Sequence, residues 1–309
     1  MHHGNIGVAT RNVEIKDIVP PELTLNGNAY QNIYVGGTYD EDGATARDDL
    51  DGDISSKVQI SGNVDTSKVG TYTVHYEVTD ASGNKTKKDR KVAVIEKSQT
   101  AGIIYLTFDD GPSVTSTPYI LDILKEEGVK ATFFIINYNE NTEYLVKRIV
   151  DEGHTIAIHG YSHDYNQIYQ SVDAYMENVT KLRDKIKQTT GVDTKITRFP
   201  GGSSNTVSSF NPKIMTTLTQ KVVEEGYRYF DWNVSSGDAG GASTSQDVYK
   251  NVTENLSHKR SNVVLMHDFA SNKKTINALR DIIHYGKNNG YNFGKITEST
   301  PMVTHRVNN

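Results

Sequence analysis

Cysteine is absent from the 309-residue chain. That one absence removes a disulfide scaffold, a thiolate zinc site and a cysteine nucleophile together. It also suits an exported bacterial protein better than a cytosolic one, which usually keeps a few buried cysteines. Proline is scarce, with 7 residues against 25 glycines, so neither a collagen repeat nor a proline-rich linker is present. No apolar run reaches the roughly 18 residues that a spanning helix needs, and no transmembrane segment is expected. Neither charge sign dominates: 33 Lys and Arg face 38 Asp and Glu, for a net charge of −5. A broad basic face for nucleic acid and a polybasic membrane patch are therefore both excluded. Only 36% of residues are hydrophobic, and 18 Tyr stand against 8 Phe and 1 Trp. The start, Met1-His2-His3-Gly4, reads as an expression-tag remnant. Residues 1–16 are set aside as remnant and disordered, and a signal segment is expected to have been removed ahead of them.

At roughly 100–200 residues per domain the length points to two domains, and the texture divides accordingly. Residues 17–98 read as short strands. Thr71–Val78 alternates apolar and polar with β-branched residues, and Lys91–Ile95 is a second strand. Period two marks half-buried strands. Asp80-Ala81-Ser82-Gly83-Asn84 between them has the composition of a hairpin turn. The acidic turns Asp40-Glu41-Asp42 and Asp51-Gly52-Asp53 are either solvated or Ca²⁺-holding. An all-β sandwich is expected here.

From residue 101 to about 300, strand-like runs alternate with helical patterns. The strands are expected at 103–108, 131–136, 155–159, 196–199, 228–233 and 262–267, with a weaker one near 291–297. Helices are expected at 116–128, 142–152, 172–190, 212–225, 244–258 and 273–289, with Gly153, Gly191, Gly226 and Gly290 at or just past four of the ends. Glycine suits the left-handed residue that closes a helix. Such alternation specifies a parallel sheet, open or closed into a barrel.

In such folds, function gathers where the strands end. The strand ends here carry Asp109-Asp110-Gly111-Pro112, His159-Gly160-Tyr161-Ser162-His163, Arg198-Phe199-Pro200-Gly201, Asp231-Trp232 followed by Asp238, and His267-Asp268. Two His and an Asp form the three-ligand set of a catalytic zinc site, and equally of a non-haem iron triad. Alone, the His pair also fits a strand-capping His beside a surface one. Asp109 and Asp110 point to different sides of an extended chain, so one can bind metal while the other acts as a base. An ordinary acidic turn reads the same way. Arg198 can hold a carboxylate. His267 with an upstream Asp can serve as a general acid, or it can be a satisfied rim His. Trp232 is either a sugar platform or core.

Taken in order, Thr107-Phe-Asp109-Asp110-Gly-Pro, His159-Gly-Tyr-Ser-His163, Arg198-Phe-Pro200-Gly201 and Leu265-Met-His267 resemble the motif set of the NodB-type polysaccharide deacetylases, carbohydrate esterase family 4. The resemblance covers about residues 101–297. It implies a distorted (β/α) barrel of about seven parallel strands and a metal-dependent amide hydrolase acting on N-acetylated sugars. By position, it makes Asp109 the base, Asp110, His159 and His163 the metal ligands, and Arg198 the group that orients the base. It makes the Gly201 N–H an oxyanion donor, Leu265 the wall of the acetyl pocket, and His267 the acid oriented by Asp238. Asp231 competes with Asp238 for that last role. The metal implied is one divalent ion, zinc first, with Co, Mn, Ni or Fe open. Two positions depart from the pattern: Gly201 stands where the family usually has Tyr, and Ala239 where it has Trp.

Residues 17–96 resemble the bacterial immunoglobulin-like surface repeats, on Pro20–Gly27, Asp51–Ile54, Val69–Val74 and Asp80–Asn84. The implied location is extracellular or the bacterial cell envelope, with cell-wall association through this domain or a missing segment. The substrate expected is N-acetylglucosamine in an envelope polysaccharide, peptidoglycan first. An O-acetyl xylan esterase and a catalytically silent glycan-binding surface protein are the alternatives.

Overall fold

The computed structural model describes residues 16–95 and 102–309. The expected remnant up to residue 15 and the expected boundary between the two parts, at 98–101, lie outside the described residues.

The amino-terminal part is a sandwich. Its strands are β1 (Glu22–Leu25), β2 (Tyr30–Tyr34), β3 (Ala44–Asp48), β4 (Gly52–Asp53), β5 (Gln59–Ser61), β6 (Gly70–Thr79) and β7 (Lys85–Ile95). One sheet runs β1-β3-β4 and the other β2-β7-β6-β5. β2 lies parallel to β7, and the remaining pairs are antiparallel. The alternation in β6 places Val74, Tyr76 and Val78 inward, against Leu23, Leu25, Ala46 and Val92. The expected hairpin forms, with its turn at 80–84. The Asp40–Asp42 turn has a protein counter-charge: Glu41 and Asp42 lie 3.2 and 3.3 Å from Nη1 of the fully buried Arg90.

The second part alternates as the sequence predicts: β8 (Ile103–Asp109), α1 (Thr117–Glu126), β9 (Thr132–Ile136), α2 (Glu143–Asp151), β10 (Thr155–Gly160), the single turn α3 (Tyr165–Ile168), α4 (Val172–Thr190), β11 (Ile196–Thr197), α5 (Ile214–Glu224), β12 (Arg228–Tyr229), β13 (Val234–Ser235), α6 (Ser245–Thr253), β14 (Asn262–His267), α7 (Lys273–Asn288) and β15 (Asn292–Gly294). The local chemistry explains the boundaries. Ser171 Oγ accepts the Ala174 N–H at the start of α4, and Gly191 closes it at φ 76°. Thr244 and Asp247 cap α6 reciprocally. β8 and β14 are buried along nearly their whole length, as apolar strands in a parallel sheet covered on both faces must be.

Seven parallel strands run in the order β12-β11-β10-β9-β8-β14-β13, with β15 beside the amino half of β8. Among the described residues β12 does not pair with β13, so the ring stays open and the barrel is distorted. The expected strand over 228–233 is broken here. The Phe230 and Asp231 carbonyls turn inward to the Arg198 guanidinium, at 2.8 and 3.1 Å, and no longer serve a neighbouring strand. Tyr30 and Ala93 of the sandwich join the apolar cluster of the barrel, and Gln220 Nε2 donates to the Leu25 carbonyl at 3.2 Å.

Candidate active site

Parallel register assembles the site. His267, the last residue of β14, is level with Asp109, the last of β8. Arg198 follows β11 directly, and its N–H donates to the Ile158 carbonyl at 2.9 Å, which sets it beside His159. Five strands thus deliver ionisable side chains to one rim.

Asp110 leaves β8 at φ 70°, an unusual conformation for an Asp. The bend brings Asp110 Oδ1 to 3.4 Å from His159 Nε2 and 3.5 Å from His163 Nε2. The three ligand atoms lie within 4.8 Å of one another. Asp110 Oδ1 is buried and has no hydrogen-bond partner. His159 Nδ1 donates to the Arg198 carbonyl at 2.9 Å. That bond fixes the tautomer and leaves Nε2 as the lone-pair nitrogen. Burial lowers the His159 pKa against the pull of Asp109 and Asp110, which favours the neutral, ligating imidazole. An orphaned carboxylate oxygen facing two imidazole nitrogens fits a divalent metal.

Asp109 is buried beside this cluster. Its Oδ1 accepts from Arg198 Nη1 at 2.7 Å. Arg198 is wholly buried and lies 4.0 Å over the Phe134 ring. Its remaining donors reach Thr107 Oγ1 at 2.8 Å, the Phe230 carbonyl at 2.8 Å and the Asp231 carbonyl at 3.1 Å. A guanidinium pinned at four points can hold one carboxylate in one orientation.

Across the rim, His267 Nδ1 donates to Asp238 Oδ1 at 2.8 Å. Asp238 Oδ2 accepts from the His267 N–H, Asn272 Nδ2 and Thr275 Oγ1. Asp231 does not share this work. Its carboxylate receives the Ser203 N–H at 2.8 Å, the Ser203 hydroxyl and the His305 N–H at 2.7 Å.

The expected substrate-binding residues are more scattered. Leu265 lies on β14 two positions before His267 and is 8% exposed. Gly201 has φ 77°, in a turn closed by the Gly202 N–H on the Phe199 carbonyl at 2.7 Å. A Cβ on Gly201 would stand 3.2 Å from Asn205 Cβ. With φ positive, a side chain at this position would be strained. Trp232 is half-buried, edge-on to His305, and its ring would touch a Cβ on Gly202 at 2.9 Å.

Asn272, Thr275 and His305 carry no signal in the sequence, because their partners lie far away in the chain. Thr107 stands in the first motif, but its hydroxyl's bond to Arg198 appears only in the fold. Asp268, next to His267, is buried, and that burial pushes its pKa up to about 7. It accepts the Thr117 hydroxyl at 2.6 Å and would meet a Cβ on Gly111 at 2.1 Å. A separate crevice of about 830 Å³ between the sandwich and the carboxy-terminal tail contains none of the residues expected at the active site.

The polysaccharide deacetylase family profile matches residues 96–221. The profile described as bacterial surface protein, Ig-like domain, matches residues 23–94. The Bacillus subtilis protein YheN, a polysaccharide deacetylase by name, is 32% identical over 250 residues, covering 77% of this chain and 84% of the relative. A peptidoglycan-N-acetylglucosamine deacetylase of Bacillus cereus is 33% identical over 216 residues, covering 67% of this chain and 69% of the relative. The crystal structure of the catalytic domain of a peptidoglycan N-acetylglucosamine deacetylase from Eubacterium rectale superposes with a TM-score of 0.64 at 46% identity, covering 67% of this chain and 94% of that one.

Proposed function

The chain belongs to the polysaccharide deacetylase family, hydrolases of N-acetylated polysaccharides, and we propose that its own reaction is metal-dependent removal of the N-acetyl group from N-acetylglucosamine in peptidoglycan, at the cell envelope. The observation that carries this reading is the convergence of Asp110, His159 and His163 between a guanidinium-held carboxylate and an Asp-held imidazole. The peptidoglycan choice is supported by the names of the Bacillus cereus and Eubacterium rectale proteins.

Asp110, His159 and His163 would hold the ion, zinc in the first instance. Bound there, a divalent ion supplies Lewis acidity to the acetamide carbonyl and acidifies water. Asp109 takes the proton of the attacking water, with Arg198 keeping its carboxylate aimed. The Gly201 N–H donates to the developing oxyanion. His267 passes a proton to the leaving amine nitrogen, because an amide nitrogen leaves poorly without one. Acetate and a free amino sugar result. Leu265 walls the acetyl pocket, and Trp232 offers a ring face beside the turn that carries Gly201.

The test is acetate release from N-acetylglucosamine oligomers, intact peptidoglycan and acetylated xylan, using metal-stripped protein, Zn²⁺-restored protein and Asp109→Asn. Release from peptidoglycan that requires both metal and Asp109 is expected. Release from xylan alone would move the reading to an ester substrate, and release from none would leave a silent glycan-binding protein.

A further inference from the structure

Three carboxylates meet at the turn end of the sandwich. Asp17 precedes β1, Asp48 ends β3, and Asp80 opens the turn from β6 to β7. One oxygen from each lies within 4.8 Å of the others. Asp48 and Asp80 are buried, at 3% and 6% exposure. Asp48 Oδ1 is already occupied by the N–H groups of Leu50 and Asp51, at 2.9 Å each. Asp48 Oδ2 is buried and has no hydrogen-bond partner, so it is the oxygen left to face the cluster. Among the described residues no Lys, Arg or His nitrogen comes within 4.0 Å of any of the three carboxylates.

Like charges this close, two of them out of water, require a counter-charge, and an orphaned buried carboxylate oxygen requires a partner. One cation supplies both. We propose that Asp17, Asp48 and Asp80 form a structural Ca²⁺ site. The donor set is all oxygen, which selects a hard cation over zinc. Ca²⁺ binds oxygens at about 2.3–2.6 Å, so its ligands can stand about 5 Å apart, whereas Mg²⁺ draws its shell tighter and demands an octahedron. The carboxylates are pre-positioned. Asp80 Oδ1 and Oδ2 each accept from Asn84 at 2.8 Å, and Asp17 Oδ1 accepts the Val19 N–H at 3.0 Å. Asp51 Oδ2 accepts the Ala81 N–H at 2.6 Å, which already ties the β3–β4 turn to the β6–β7 turn. The ion adds the segment before β1 to that junction and so sets the direction from which the chain approaches the domain.

The experiment uses the full chain, stripped by chelation and given one equivalent of Zn²⁺ so that the barrel holds its own ion. Ca²⁺ is then titrated by calorimetry and by thermal melting. One Ca²⁺ per chain is expected, with a melting temperature that climbs with Ca²⁺ concentration and a smaller response to Mg²⁺. Asp48→Asn and Asp80→Asn should each weaken Ca²⁺ binding at least tenfold, while His163→Ala leaves it unchanged. The absence of heat and of any melting shift up to about 10 mM, above the usual range for extracellular modules, would overturn the site. So would binding that survives both Asp substitutions, or binding lost in His163→Ala.

Discussion

His267 and Asp238 are joined twice: the imidazole Nδ1–H donates to one carboxylate oxygen at 2.8 Å, and the backbone N–H of the same His donates to the other at 2.8 Å. Burial pulls the imidazole pKa down. The Asp238 hydrogen bond and the charges of Asp109, Asp238 and Asp110 more than offset it, holding the pKa up at about 9. Burial likewise opposes ionisation of Asp238, and the bond to His267 holds its pKa down at about 2. The two shifts describe one contact and count once. At neutral pH the pair is charged and the imidazole carries the proton that a leaving amine needs.

The first prediction concerns pH. A raised His pKa gives stability that is complete below the free value of 6.5 and is lost as pH rises through about 9. Activity that needs the imidazolium falls over the same window. A divalent ion at Asp110 offsets one of the charges holding the proton, so the alkaline limb of kcat/KM in the loaded enzyme lies between the two values. Asp238→Asn should move that limb down and lower kcat, by at most the roughly 10²–10⁴-fold that general acid catalysis supplies. An alkaline limb unmoved in Asp238→Asn would remove His267 as the acid.

Asp231→Asn makes the contrast. Its carboxylate fastens the Ser203 turn to the tail at His305 and does not touch His267. The variant is expected to lose about 1–3 kcal/mol in urea unfolding, the cost of buried donors left unpaired, with the alkaline limb unmoved. A shifted limb in this variant would return the orienting role to Asp231.

The difference between these two acids shows where sequence reasoning stops. Local signals were readable. Gly191 closes α4 in the left-handed region, and the period-two pattern of β6 marks its inward face. The rim residues were readable too, because strand ends concentrate chemistry in a parallel sheet. What could not be read is which long-range partner each group finds. Asp231 and Asp238 are both carboxylates a few residues past a strand. The choice depends on Asn272, which caps α7, and on Thr275 in its first turn, both of which donate to Asp238. The shortening of the 228–233 strand has the same origin. Phe230 and Asp231 give their carbonyls to Arg198, a demand that no local propensity records. Gly201 in place of Tyr was visible, but the positive φ it adopts belongs to the fold.

Metal binding should depend on His163 more than stability does. The His163 side chain is 33% exposed, against 4% for His159. His163→Ala therefore removes a ligand with little loss of packing. Zn²⁺ affinity, measured by competition with a chromophoric chelator, should drop by more than the roughly 10–100-fold that loss of an outer-shell partner costs. Acetate release should vanish, and the melting temperature of the metal-free protein should be nearly unchanged. Full zinc occupancy in His163→Ala under competition would contradict the ligand assignment.

Arg198 links fold to chemistry most tightly. It is wholly buried, and it is the counter-charge for the buried Asp109 as well as the donor to two carbonyls that left the sheet. Arg198→Met keeps the volume but strands Asp109, Phe230 O and Asp231 O. Breaking a buried pair from one side costs about 3–5 kcal/mol, so a loss of that size is expected in urea unfolding at pH 7. Arg198→Lys keeps a charge but has no planar fork, so it cannot serve Asp109 and both carbonyls together. Its stability should fall between the two, and its kcat should drop more than its KM rises, because the base is displaced while the glycan contacts remain. A Met variant within about 1 kcal/mol of wild type, below the cost of even one buried unpaired acceptor, would mean that Asp109 is held by something other than Arg198.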